Sequence, residues 1–404
     1  MFKPGSLMAG LRFKFQNVLF IVPRQLIVHR HFSEGVNYIK NTNLSSLKRG
    51  TGGRSSFNGI VATVFGSSGF LGGYVCNKLG KIGTQLILPY RGDAYDMRSL
   101  KLVGDLGQVL FQPYHLLDEA SIFKAVKHSN VVINLVGRDW ETKNFTFDRV
   151  HVEGARKLAK VSKKAGVETF IHVSALNVSE NPTEYMLDGG SKFLASKWRG
   201  EIAVKEEFPE AIIFRPADIY GQEDSFLRYY SSFWRHQGKM MPLYRSGEHT
   251  IKQPVFVEDI AAGIVAACKE KHLKSKIYQA VGPTRYKLSE LVDWFHRIIN
   301  KADTWGYYRY DLRFDPLFQL RISLLPKLTL GSLPKGNIHW EKVERECHSD
   351  TVVPGIETLE DLGITLTRME DQVPWELRTY RAHSYYELEL KEFEIPHPPQ
   401  PVVS

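Results

Sequence analysis

Cysteine is scarce in this chain and shows no pattern. Cys76, Cys268 and Cys347 are its three cysteines in 404 residues, far apart and without a C-x-x-C pair. That spacing implies neither a disulfide framework nor a zinc site, and it suits a reducing compartment. The fourteen histidines also lack ligand spacing: His29 and His31 sit near the N-terminus, and His296 falls in a helical pattern as a satisfied residue. Long apolar runs are missing. Those near the N-terminus are short and broken by charge and proline, so neither a secretory signal core nor a membrane span fits. Acid is missing from residues 1–33, which hold Lys3, Arg12, Lys14, Arg24 and Arg30; Glu34 is the first carboxylate. Five of the nine net positive charges lie there, so the basicity argues for targeting and not for nucleic acid. Residues 1–33 read as a mitochondrial presequence cleaved near Arg30-His31-Phe32-Ser33, with the matrix as destination; a disordered basic arm is the other reading.

What is present is a soluble, globular composition long enough for a large core. Residues 34–58 read as a linker or arm, rich in Ser, Gly, Thr and Asn from Asn41 onward. The organising stretch follows. A β-branched and aromatic run, Ile60 to Phe65, leads into Gly66-Ser67-Ser68-Gly69-Phe70-Leu71-Gly72, and then the pattern turns helical to about Ile82. Gly66 allows a sharp turn off the strand, Gly69 lets backbone amides approach a pyrophosphate, and Gly72 allows tight helix packing. A glycine-rich turn that binds nothing has the same letters. Further strands are expected at 85–91, 108–111, 131–137, 169–174 and 211–216, and helices at 118–128, 148–165 and 288–299, with Val255 to Ile260 leading into an Ala-rich helix to Cys268. The alternation predicts a doubly wound α/β Rossmann sheet over residues 59–300, followed by a smaller mixed C-terminal region, 301–404. Within that region, residues 305–335 interleave aromatics with Arg309, Arg313, Arg321 and Lys327. This fits a partner or the headgroups of a membrane surface, or else an ordinary buried subdomain.

One more absence selects the dinucleotide. The second strand ends in Tyr90-Arg91, with no Asp or Glu to bind a ribose 2′-hydroxyl. A carboxylate would repel a 2′-phosphate and a guanidinium pairs with it, so NADP(H) is favoured over NAD(H). FAD fits less well. The alternative for Arg91 is a solvated loop cation.

The glycine turn, Asn134-Leu135-Val136-Gly137, His172-Val173-Ser174 and Ser191-Lys192-Phe193-Leu194-Ala195-Ser196-Lys197 together resemble the extended or atypical short-chain dehydrogenases/reductases. In that family a Ser orients the substrate oxygen, a Tyr is the acid/base, and a Lys four residues on lowers the Tyr pKa and holds the nicotinamide ribose. Ser174 and Lys197 match; the Tyr position is Phe193. A phenyl ring has no ionisable proton, which removes roughly 10²–10⁴ in rate. Tyr185 stands at the wrong spacing to replace it.

Longer strings, Val136 to Phe145, Ile171 to Ser174, Phe208 to Ile213 and Lys252 to Val257, resemble the Rossmann-type accessory subunits of mitochondrial NADH:ubiquinone oxidoreductase (complex I). That resemblance implies a tightly held NADPH outside the electron path, on the matrix side of the inner membrane. It also implies partner subunits near the quinone entrance, where the peripheral and membrane arms meet. It places the dinucleotide against Gly66, Ser67, Ser68, Gly69, Phe70, Leu71, Gly72, Arg91, Leu135, Gly137, Ser174, Phe193, Lys197 and Pro216, with no catalytic residue and no metal. His115 stands where related sequences often carry an Asp beside adenine. Two other readings remain open: an active NADP-dependent reductase or epimerase acting on a sugar or lipid-like substrate, and a soluble NADPH-sensing regulator.

Overall fold

Runs of Val, Ile and Phe build the centre of the fold. In the computed structural model these are β1 (Val61–Phe65), β2 (Gln85–Tyr90), β3 (Val109–Pro113), β4 (Val131–Asn134), β5 (Thr169–Val173) and β6 (Ile212–Pro216). Every residue of β1, β4 and β5 is buried, as strands covered on both faces must be. The structure describes residues 47–236, 239–270, 273–299, 307–328, 338–381 and 396–402. The expected presequence and the first part of the expected arm lie outside them.

Two short strands extend the sheet to eight. Ile277–Ala280 pairs with β6, and Glu357–Thr358 pairs with Ile277–Ala280. From that edge the order runs β6, β5, β4, β1, β2, β3, and every pairing is parallel. The expected doubly wound Rossmann architecture is the one found. The order reverses between β1 and β4, and that switch point is where such folds open a crevice.

Helices α1 (Phe70–Lys81), α2 (Glu119–Val126), α3 (Ala155–Lys164), α4 (Lys192–Glu207), α5 (Phe226–Ser231) and α6 (Val257–Lys269) follow in order. Then come α7 (Leu288–Ile298), α8 (Pro316–Leu328) and α9 (Trp340–Cys347). One core joins the sheet to Val75 and Leu79 of α1 and to Ile260 and Ile264 of α6. A second, on the other sheet face, holds Ile122 of α2, Leu158 of α3 and Val204 of α4. A third gathers Tyr229, Trp294, Phe318 and Val343, so that α5, α7, α8 and α9 share it. Residues 148–165 were expected as plain helix; their first part, Arg149–Gly154, is a π turn. The extra residue per turn re-aims side chains there. The described part of the arm is not a free linker. Arg49 and Phe57 exchange backbone hydrogen bonds of 2.9 and 2.8 Å, and the Asn58 amide donates to Gly83 just past α1. Among the described residues no helix is long and apolar enough to cross a membrane.

Candidate functional site

The crevice begins at the glycine turn. Gly66 sits at φ +82°, in the left-handed region that glycine enters without strain. A Cβ on it would come within 2.9 Å of the Leu135 carbonyl carbon, so the turn lies directly against the chain leaving β4. A Cβ on Gly72 would meet the Gly66 and Ser67 carbonyl oxygens at 2.5 and 2.6 Å. Gly69 is different: only the Gly66 oxygen, at 3.3 Å, comes near its missing Cβ. It caps α1 without a side-chain bond, and the amides of Phe70, Leu71 and Gly72 in the first turn have no helical partner. Ser68 is exposed, Leu71 packs on the core, and Ser67 Oγ is buried with no partner among the described residues.

Arg91 emerges from β2 on one side of this turn. It is exposed, and its guanidinium lies 5.2 Å from the centre of the Phe145 ring. Phe145 belongs to the loop that leaves β4, and in the same loop Arg138 lies 5.0 Å over Trp140. His115 takes a 3.3 Å bond from the Leu117 amide on Nδ1, with its ring 6.3 Å from Phe145.

The second half of the crevice is built on α4. Ser191 caps that helix by accepting from the Leu194 amide. Glu341 of α9 accepts from Ser191 Oγ and, at 2.9 Å, from the Phe193 amide. Phe193 is thereby pinned at the start of α4, with its ring edge-on to Phe147 and to His151 of the π turn. One turn later, Lys197 Nζ donates to the Val173 carbonyl at 3.2 Å and lies 5.8 Å from the Phe193 ring centre. It also stands 3.4 Å from where a Cβ on Gly137 would be, so Gly137 leaves its flank open. Burial pulls the Lys197 ammonium down to about 8, against the pull of Asp139 and Glu201. Burial, and then the Lys197 charge, pull His172 down to about 3, and the same two causes hold His151 well below its usual range.

Phe70, Ser174, Phe193 and Pro216 line one cavity of about 220 Å³. Lys197 adjoins it through Phe193, and Gly137 through Lys197; Leu135 lies against Gly66 at the glycine turn, and Arg91 stands apart on the other side of that turn. Ser174 Oγ is buried with no partner among the described residues. The cavity's far wall is α9. Arg345 lies 4.1 Å over the Phe193 ring and pairs with Asp139 at 3.2 Å. Burial alone would raise the Asp139 carboxyl, but Arg345, Lys342 and His339 hold it well below the usual carboxylate range. Two tyrosines also line the cavity. Tyr229 donates its hydroxyl to Glu346 at 3.1 Å, and burial raises the pKa of both Tyr229 and Tyr230. Tyr185 packs instead against Tyr244 and His348.

The arrangement offers unpaired donors to an extended anionic ligand: the amides at the start of α1, Ser67 Oγ, the Arg91 guanidinium and Ser174 Oγ. A dinucleotide fits that set. Arg345 and Arg138 are the site's unforeseen members. Arg345 lies in a charge-dense stretch that composition reads as solvated, and only its closeness in sequence to the buried Val343 and Cys347 hinted otherwise.

Residues 62–280 match the model of the NAD dependent epimerase/dehydratase family. Over 347 residues the chain is 44% identical to NADH dehydrogenase (ubiquinone) 1 alpha subcomplex subunit 9, mitochondrial, of Mus musculus, covering 86% of this chain and 87% of that one. The chain belongs to this family of complex I subunits. The Neurospora crassa NADH-ubiquinone oxidoreductase 40 kDa subunit is another relative in the subunit family, 35% identical over 349 residues and 84% of each chain. Its fold is shared more widely. UDP-glucose 4-epimerase of Thermotoga maritima superposes with a TM-score of 0.55 at 15% identity, over 82% of this chain and 100% of that one. MoeE5, solved with UDP-glucose and NAD, does so at 0.54 and 14%, over 78% and 97%.

Proposed function

We propose that this chain is a non-catalytic accessory subunit of mitochondrial complex I that holds NADP(H) as a structural ligand and supports assembly at the junction of the peripheral and membrane arms, on the matrix side. The observation that carries the reading is Phe193. It occupies the proton donor's place, one turn from a retained lysine, and Arg345 covers its ring. The amides opening α1 would take the pyrophosphate and Arg91 the 2′-phosphate. Leu135, Gly137 and Lys197 would hold the ribose, and Ser174, Phe193 and Pro216 the nicotinamide. The bound coenzyme could supply a hydride, but a hydride-derived alkoxide would find no proton at Phe193. What the ligand does contribute is mass action: at a thousandfold excess over its Kd it stabilises the fold by about 4 kcal/mol.

The C-terminal surface supports a peripheral placement. Helix α8 leaves Leu317, Leu320 and Leu324 exposed beside Phe314, with Arg313 and Arg321 on the same stretch. Such a face suits other complex I subunits or the headgroups of anionic lipids. Trp305 and the side chain of Lys327 lie outside the described residues.

Arg91→Glu is expected to lower both the dinucleotide content of the purified chain and the stability of the assembled complex. Released nucleotide quantified by mass spectrometry and native-gel yield of the complex check it. Full nucleotide with normal assembly would remove Arg91 from the site. The retained Ser174 and Lys197 favour one rival, an active NADP-dependent reductase or epimerase. NADPH turnover with a carbonyl substrate, abolished by Lys197→Ala, would establish that rival.

A further inference from the structure

Two guanidiniums flank the glycine turn, and among the described residues neither has a counterion. Strand β1 lies between β2 and β4 in the sheet, so the chain leaving β2 and the chain leaving β4 emerge on either side of the turn. Arg91 is the first residue past β2. Arg138 is the fourth past β4. Both guanidiniums lie over rings of one loop, Arg91 over Phe145 and Arg138 over Trp140. The Arg138 backbone is pinned as well, by a 3.1 Å bond from its amide to His151 Nε2.

The acids nearest in sequence to Arg138 are turned elsewhere. Asp139 pairs with Arg345, and Glu141 accepts from the Phe147 amide at 2.9 Å. Among the described residues neither Arg91 nor Arg138 makes an ion pair. Arg138 is half-buried, and its pKa is lowered first by burial and then by the charge of Arg91. A partly desolvated cation whose charged neighbour is a second cation is held at a cost that an anion would relieve.

We propose that Arg138 joins Arg91 in a two-guanidinium seat for a dianionic phosphate monoester, the 2′-phosphate of the dinucleotide, with the adenosine end lying along residues 137–147. This rests on the NADP(H) reading above. The pyrophosphate linker is the poorer match: it carries one charge per phosphorus, and the amides opening α1 already face it. A monoester carries its second charge near neutral pH, which matches two guanidiniums.

The test is calorimetric titration of the full chain with 2′,5′-ADP and with 5′-AMP, which differ only in the 2′-phosphate. The wild type is expected to prefer 2′,5′-ADP. In Arg138→Met that preference falls by about tenfold or more while 5′-AMP affinity stays put, as loss of a charge-assisted pair requires. The methionine keeps the stem on Trp140, so the melting temperature of the nucleotide-free variant should hold or rise as the repulsion with Arg91 is removed. Arg138→Lys should recover part of the preference. An unchanged preference in Arg138→Met overturns the proposal. So does equal weakening of both ligands, which would put Arg138 on the linker or in a packing role. A wild type that does not discriminate the two ligands would instead remove the NADP(H) reading on which the proposal stands.

Discussion

Glu346→Ala is expected to destabilise the chain by about 3–5 kcal/mol, the usual cost of stranding a buried charge. Arg235 is wholly buried, and its Nη2 reaches both carboxylate oxygens of Glu346, at 2.9 and 3.0 Å. Among the described residues its Nε and Nη1 have no partner, and the Tyr229 hydroxyl beside it carries no charge to balance it. The guanidinium lies 5.1 and 5.3 Å from the ring centres of Tyr229 and Phe318. Removing the carboxylate therefore leaves a cation among aromatic rings. Tyr229 loses its hydroxyl's acceptor in the same step. The pair also ties α9 to α5 and α8, and α9 carries the Arg345 that covers Phe193. Urea denaturation of the nucleotide-free protein checks this. A loss under about 1 kcal/mol would mean that water reaches Arg235.

Lys197→Met should stabilise the empty chain and abolish dinucleotide retention at the same time. The ammonium's fall from 10.5 to about 8 amounts to about 3 kcal/mol of burial cost at neutral pH. Losing its bond to the Val173 carbonyl offsets about 1 kcal/mol of that, so a net gain of about 2 kcal/mol is expected. The sign follows from proton counts. Between pH 8 and 10.5 the unfolded chain binds more protons at this lysine than the folded one, so wild-type stability from this group rises with pH across that window. The variant lacks that rise, and its advantage should shrink towards pH 10.5. A variant less stable than wild type at pH 7 would make Lys197 a structural residue and not one held ready for a ligand.

Much of the fold was legible because its signals are local. Six strands announce themselves as apolar runs: those covered on both faces tolerate few polar residues, and the edge strand β3, with no residue buried, still carries Val109, Leu110 and Phe111. The turn from Gly66 to Gly72 is equally local. What stayed hidden depends on distant partners. Glu357–Thr358 is too short and polar to read as a strand, and it exists only because Ile277–Ala280 offers an edge. Helix α9 misleads most. Its sequence, Trp-Glu-Lys-Val-Glu-Arg-Glu-Cys, looks solvated, yet Glu341, Lys342, Glu344 and Glu346 are all buried. Each carboxylate there has a remote donor: Ser191 and the Phe193 amide for Glu341, the amides of residues 185–187 for Glu344, and Arg235 for Glu346. No periodicity records such pairings. Phe193 was readable as a missing hydroxyl, but Arg345 stacked upon it was not, because some 150 residues separate them.

The coenzyme is expected to be held and not used. The most direct measurement is to isolate the native complex, run many turnovers of NADH oxidation with and without added carbonyl compounds, and then quantify the nucleotide released from this chain by mass spectrometry. About one NADP(H) per chain is expected, with its oxidised fraction unchanged by turnover or by any carbonyl. An empty chain, or a nicotinamide oxidised in step with substrate, would contradict it.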